Sequence, residues 1–302
     1  MQVFKAEHIT KKYGHNAVLN NLTMEIPCGS IYGLVGENGA GKTTLIRMIA
    51  GLDFPTSGVF SLFGAREHLV EQRRRMGFLI ESPALYLDMT ARQNLEMVRI
   101  QRGIPEKDRV DELLEQFSLQ DIGRKRVRNF SLGMRQRLGI ALALLGEPEF
   151  LVLDEPINGL DPTGILEIRK LLQDLNQQKG TTILISSHIL PELESLATRY
   201  GFLHHGRLLQ DISAQELGER CRQYILLRVT EPERTAALLE SELHTTQFDV
   251  YPDRSLHIYD LLGRMAELSA CLAQHNIPVQ EFTTKGDSLE TYFQKLIGGD
   301  EG

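Results

Sequence analysis

The run Gly36-Glu37-Asn38-Gly39-Ala40-Gly41-Lys42-Thr43 fits the pattern GxxxxGK[ST] and constrains this chain more than any other feature. It follows an apolar stretch, Ile31-Tyr32-Gly33-Leu34-Val35. It precedes Leu45, Ile46, Met48, Ile49 and Leu52, which are spaced as one face of a helix. Strand, glycine loop and helix in that order make a phosphate cradle. Glycines let backbone N–H groups curl around phosphate oxygens without Cβ clashes, and the helix N-terminus adds the positive end of its dipole. Lys42 then brings a mobile cation to the outer phosphates, the Thr43 hydroxyl is a ligand for Mg2+, and Thr44 follows in the same first turn.

A nucleotide site of this kind also needs a carboxylate at the end of a neighbouring strand, because Mg2+ prefers hard oxygen ligands. Asp154 ends the apolar run Phe150-Leu151-Val152-Leu153 and meets that need. Glu155, the next residue, is the natural general base for the water that attacks the outer phosphate.

At 302 residues the chain has room for about two domains. Acidic residues exceed basic ones, for a net charge of −7, which argues against the broad positive field that grips nucleic acid. Cys28, Cys221 and Cys271 show no CxxC spacing and are odd in number, so neither a disulfide framework nor a thiolate metal site is expected, and a reducing cytoplasm is. No window approaches the ~18 to 20 apolar residues that span a bilayer, so contact with a membrane has to come through a partner.

Strands alternate with helices through the first half, which predicts a largely parallel, buried sheet of α/β class. A mostly helical block at about 81–146 interrupts it, with apolar periodicity at 95–102, 110–117 and 138–145. Asp161 is placed to N-cap a helix that opens with Pro162 and closes before Gly180. Arg73-Arg74-Arg75 reads as the end of a solvated helix. Near residue 217 the organisation restarts as β-α-β-β-α-β, with a last helix over 289–297 behind Asp287 and with Glu290 three residues on. The expected domains are 1–216 and 217–302.

Phe130-Ser131-Leu132-Gly133-Met134-Arg135-Gln136-Arg137 precedes the Asp154 strand. With that segment the chain resembles the ATP-binding subunit of an ABC transporter, over about residues 2–215. In that family a glycine loop, a glutamine loop, the LSGGQ signature, an Asp-Glu strand, a D-loop and a switch histidine follow one another, and this sequence has a candidate for each. The resemblance implies a P-loop (RecA-like) core with an inserted helical subdomain, followed here by a small α+β domain of ferredoxin-like order.

By the same resemblance, Tyr13 stacks on adenine with Val18 beside it. Ser131, Leu132, Gly133 and Met134 face the outer phosphate held by a second copy, where Leu132 and Met134 replace a glycine and a glutamine. Asp161, in Asn158-Gly159-Leu160-Asp161, belongs to the D-loop. His188, after the strand 182–186, is the switch histidine, while His204 and His205 are expected to face solvent. Glu81 stands where the family has glutamine, so it adds a negative charge beside Mg2+ and is a further candidate ligand. That glutamate, the Ser131–Met134 signature and the stretch 287–293 are similar to the bacitracin and lantibiotic self-protection branch.

The resemblance therefore implies ATP and Mg2+ as cofactors, and a dimer around two nucleotides. It also implies a separate membrane permease docked on the helical block, especially 81–95, and no nucleic acid partner. The subunit is expected at the cytoplasmic face of the cell membrane, with peptide-like antibiotics as the cargo. Two rival readings stay open at this point: an ABC ATPase of translation or DNA repair, and a regulator that binds ATP without turnover. A single glycine loop and the absence of a sustained heptad run weigh against the first.

Overall fold

The structure, a computed structural model, describes residues 1–298, and residues 299–302 of the expected second domain lie outside the described residues. The chain forms two compact units, Met1–Ala214 and Gln215–Gly302.

The first unit opens with β1 (Gln2–Tyr13), β2 (Asn16–Pro27), β3 (Ile31–Val35), α1 (Lys42–Ala50), β4 (Ser57–Leu62), α2 (Leu69–Arg73) and β5 (Met76–Leu79). The helical block follows as α3 (Ala91–Gln101), α4 (Asp108–Gln116) and α5 (Leu132–Leu144). The chain then returns to alternation with β6 (Phe150–Asp154), α6 (Pro162–Lys179), β7 (Thr182–Ser187), α7 (Leu190–Glu194), β8 (Arg199–His204) and β9 (Arg207–Ser213).

The central sheet has the order β5-β6-β7-β3-β8-β9. Its strands are parallel apart from β9, which pairs antiparallel with β8. Every residue of β3, β6 and β7 is buried, which is why Phe150–Leu153 and Ile183–Ile185 run apolar without alternation. A second sheet, β2-β1-β4, is antiparallel. Phe4, Ile9, Leu22 and Ile26 from that sheet share one core with Leu45, Ile46 and Ile49 of α1 and with Leu34, Phe150 and Leu184 of the central sheet. Each such side chain contributes about 1.5–3 kcal/mol on burial. That core holds α1 against the strand ends, and α1 carries the glycine loop at its start.

The apolar stretch 138–145 belongs to a helix that begins at Leu132, capped by Ser131, whose hydroxyl accepts the Met134 N–H at 3.2 Å. Several local expectations need correction. Asp161 does occupy the N-cap position of α6, but its carboxylate makes no capping hydrogen bond. Arg73 does not simply face water: its guanidinium donates to the Ile49 carbonyl at 2.8 Å and to Met48 at 3.3 Å, closing the C-terminus of α1. His204 is buried, at 4 % exposure, whereas His205 is exposed as expected.

The second unit comprises α8 (Ala214–Arg220, which begins at the last residue of the first), β10 (Tyr224–Val229), α9 (Pro232–Ser241), β11 (Phe248–Val250), β12 (Ser255–Ile258), α10 (Met265–Gln274), β13 (Val279–Lys285) and α11 (Leu289–Gly298). Its antiparallel sheet has the order β11-β12-β10-β13. Leu239, Leu268 and Leu272 of the helices pack on Ile225, Leu227 and Ile258 of the strands. The cap of α11 is Ser288, whose hydroxyl accepts the Thr291 N–H at 3.1 Å, while Asp287 takes the Lys295 ammonium instead.

Candidate functional site

The carboxyl ends of β3, β6 and β7 converge where the glycine loop turns into α1. Parallel strands of an α/β sheet deliver side chains to this edge, so a ligand crevice belongs here. A cleft of about 200 Å³ is lined by Val18, Glu37, Asn38, Gly39, Gly41, Lys42, Thr43, Thr44 and Glu155. Gly41 is the N-cap of α1 at φ +109, and a Cβ there would lie 2.7 Å from Leu19 and 2.9 Å from the Val18 carbonyl. Only glycine fits that backbone and that approach. Gly36 and Ala40 are buried behind the loop, while Glu37, Asn38 and Gly39 are exposed at its rim.

Lys42 is 6 % exposed. Its ammonium donates to the carbonyls of Gly36 at 2.6 Å and Glu37 at 3.1 Å, and lies 3.7 Å from Glu155 Oε1. Burial lowers the Lys42 pKa, and the charges of Glu155 and Asp154 work against that shift. The cation is therefore incompletely compensated, and a polyanion arriving in the loop would complete it.

Thr43 donates its hydroxyl to Asp154 Oδ2 at 2.8 Å, and the Ser186 hydroxyl donates to Oδ1. Asp154 is 2 % exposed at the end of β6. The Thr43 hydroxyl and the Asp154 carboxylate are hard oxygens at the mouth of a phosphate cradle, which is the donor set Mg2+ takes when phosphates and water supply the rest. Among the described residues no group of three or more His, Cys, Asp or Glu side chains could hold a metal alone.

Glu155 follows β6 with φ +48, in the left-handed region, a conformation that costs of order 1–3 kcal/mol for such a residue. Its N–H is held by the Ser186 hydroxyl at 3.0 Å and the Ser186 carbonyl at 3.2 Å. The turn aims its carboxylate into the cleft. His188 Nδ1 lies 2.9 Å from Oε2, and Asn158 donates to the same oxygen at 3.3 Å. A carboxylate oriented in this way can accept a proton from water.

Tyr13 is half-exposed, and its hydroxyl donates to Asp53, which also takes the Lys11 ammonium. That hydrogen bond raises the Tyr13 pKa, so the hydroxyl stays a donor. Val18 lines the cleft itself. Glu81, at φ +57, pairs with Arg47 of α1 at 3.3 Å, so its carboxylate has a cationic partner within the same chain.

Ser131 and Leu132 are exposed, Leu132 at 60 %, and Gly133 and Met134 are half-buried at the start of α5. The bulk of Leu132 is seated on Gly159: a Cβ on that glycine would lie 2.2 Å from Leu132 Cδ2. Asp161 is exposed at the start of α6. The Ser131–Met134 segment therefore packs on the Asn158–Asp161 stretch of its own chain and keeps an open face.

Sequence reasoning missed Ser186 and Arg47, which brace Asp154 and Glu81, and named Asn158 only within the 158–161 stretch, without its contact to Glu155. A hydroxyl residue two positions before His188, at the end of a buried strand, was the available signal for Ser186. A larger cleft, about 520 Å³, lies at the opposite ends of the strands beside Met1, Cys28, Glu149 and Thr182. It is remote from this chemistry.

Comparison with known proteins agrees with this geometry. The ABC transporter family profile matches residues 19–158. The chain is 42% identical over 299 residues to the bacitracin transport ATP-binding protein BcrA of Enterococcus faecalis, covering 98% of this chain and 97% of that protein. It is also 42% identical over 207 residues to the lantibiotic transport ATP-binding protein SrtF of Streptococcus pyogenes, covering 68% of this chain and 89% of the relative. Among solved structures, an ATP-binding subunit of an ABC transporter aligns with TM-score 0.66 and 30% identity, covering 72% of this chain and 92% of that one. The cassette MJ0796, in a dimeric post-hydrolysis state with ADP and Pi, aligns with TM-score 0.65 and 26% identity over 70% of this chain and 98% of that one.

Proposed function

This chain belongs to the ABC transporter ATP-binding family and is an ATPase subunit, and from that premise we propose that it dimerises around two Mg·ATP to drive a separate membrane permease that exports or removes peptide-like antibiotics. The observation that carries this reading is the convergence of Lys42, Glu155 and His188 on one cleft, with Thr43 and Asp154 paired beside them.

In this reading Lys42 and the loop N–H groups bind the phosphates. Glu155 takes the proton from the attacking water, held in orientation by His188 and Asn158. Bound Mg2+, with Thr43, Asp154 and Glu81 as candidate ligands, supplies charge neutralisation for the phosphates. Ser131 to Met134 complete the site of the second copy, a role supported by their open face and by the Ser131-capped helix behind them. Asp161 contributes at the same dimer interface.

The permease docks on the helical block. A cleft of about 480 Å³ between β5 and α5, lined by Phe78, Ile80, Pro83, Val98 and Leu142, starts beside Glu81 and supports that assignment. No helix of the described residues is long and apolar enough to cross a membrane. The cargo class follows the names of the relatives, which are transport proteins for bacitracin and a lantibiotic.

Purification with a co-expressed permease, followed by ATPase assays with and without bacitracin, tests the proposal. A membrane partner that copurifies and a rate that responds to the peptide support it. Acceleration by nucleic acid alone, with no membrane partner, overturns it.

A further inference from the structure

The turn between β8 and β9, His204-His205-Gly206, is packed onto the phosphate loop. The Gly206 N–H donates to the Ala40 carbonyl at 3.0 Å, and the Gly206 carbonyl accepts the Asn20 N–H at 2.9 Å. Gly206 has φ +75, and a Cβ there would lie 2.3 Å from the Val18 carbonyl. Just before the turn, the Leu203 carbonyl is so close to Gly36 that a Cβ on that glycine would stand 2.4 Å away. A single short segment thus meets the loop at Gly36 and Ala40 and the cleft-lining strand at Val18.

His204 sits at the root of this turn. Its ring is buried against His205 with centroids 4.0 Å apart, and Nδ1 faces Glu37 Oε2 at 3.9 Å. Nε2 has no hydrogen-bond partner among the described residues. A buried, unpaired ring nitrogen is an expensive way to fill space, since an apolar ring of similar bulk strands no polar atom. The choice of histidine is explained if the face toward Glu37 matters. Lys42 donates to the carbonyls of Gly36 and Glu37, so the backbone that this turn braces is the backbone that aims the loop's cation.

We propose that the His204–Gly206 turn is a positioning element of the phosphate loop, with His204 as its buried anchor facing Glu37. The proposal rests on reading that loop as the ATP site. His204 is not among the residues that line the cleft. It acts through the first half of the loop, whereas Glu155 and His188 are held from β6 and β7. Its removal should therefore weaken nucleotide binding and spare turnover at saturation.

The test uses the full chain and two measurements: equilibrium binding of a fluorescent ATP analogue in EDTA, and steady-state ATP hydrolysis. His204→Phe keeps the bulk and removes both nitrogens. It should raise Kd and KM about three- to tenfold with kcat within about twofold of wild type, the split expected when a binding contribution is lost. His204→Asn, which restores a polar group near Nδ1, should recover most of the affinity, and the exposed control His244→Ala, in the second unit, should bind as wild type does.

A lower melting temperature for His204→Phe with wild-type Kd in the folded fraction assigns His204 to packing alone and overturns the proposal. If His204→Phe does not fold, His204→Leu, which also removes both nitrogens, and Glu37→Ala carry the test, and wild-type Kd in both overturns it. Lys42→Ala separates the two levels. Binding unaffected by Lys42→Ala removes the ATP-site reading itself, whereas loss of binding there with wild-type affinity in His204→Phe removes only the positioning role.

Discussion

Lys42 Nζ stands 3.7 Å from Glu155 Oε1, an ion pair too long for a hydrogen bond, across the mouth of the phosphate loop. The cation proposed to bind phosphate and the carboxylate proposed to activate water thus partly compensate each other. Their separation leaves each of them available.

Removing the cation should therefore cost binding first. Lys42→Ala deletes charge-assisted contacts worth about 1.5–3 kcal/mol, so ATP should bind about 10- to 100-fold more weakly. Equilibrium titration with a fluorescent ATP analogue measures this, and unchanged affinity would show that the loop is not the cradle.

Glu155→Gln should have the opposite profile. The amide keeps the shape that His188 and Asn158 hold, but it loses the basic oxygen and the charge facing Lys42. Hydrolysis should fall by about 10²–10⁴, the usual worth of a positioned general base, with ATP affinity retained or improved. Size-exclusion chromatography with Mg·ATP should then show an accumulated dimer, and a variant that stays monomeric counts against the two-copy site.

The parts of this site legible in the sequence are those written in contiguous residues. Strand, glycine loop and helix lie within residues 31–52, and Asp154-Glu155 directly follow an apolar strand, so local pattern carries the chemistry. The bracing residues were not legible in that way. Ser186 reaches Asp154 across 32 positions and Arg47 reaches Glu81 across 34, and both contacts exist only because parallel strands and α1 bring distant segments to one edge. His204 was misread for a related reason: a His-His-Gly turn between two strands looks like a solvent hairpin unless the phosphate loop is known to pack on it.

Glu81 and Arg47 offer a test of the departure from glutamine. Both side chains are substantially exposed, so the pair should add only about 0.2–1 kcal/mol to stability. Glu81→Gln should leave the melting temperature almost unchanged and still require more Mg2+ for half-maximal hydrolysis. An identical Mg2+ titration would remove Glu81 from the candidate ligands.

Asp53 links acid stability to Tyr13, the adenine contact expected from the resemblance. It accepts from the Lys11 ammonium, the Tyr13 hydroxyl and the Phe54 N–H, and the Lys11 and Tyr13 contacts pull its pKa from 3.8 down to about 2. A carboxylate depressed in the folded state binds protons more readily when unfolded, so its contribution is present above pH ~4 and fades as pH falls through about 2. Asp53→Asn should therefore lower the melting temperature at neutral pH and flatten its decline between about pH 4 and 2. Because the same carboxylate holds Tyr13, the variant should also bind ATP more weakly while binding inorganic tripolyphosphate as wild type does. Equal losses for both ligands would place the Tyr13 ring outside the adenine contact.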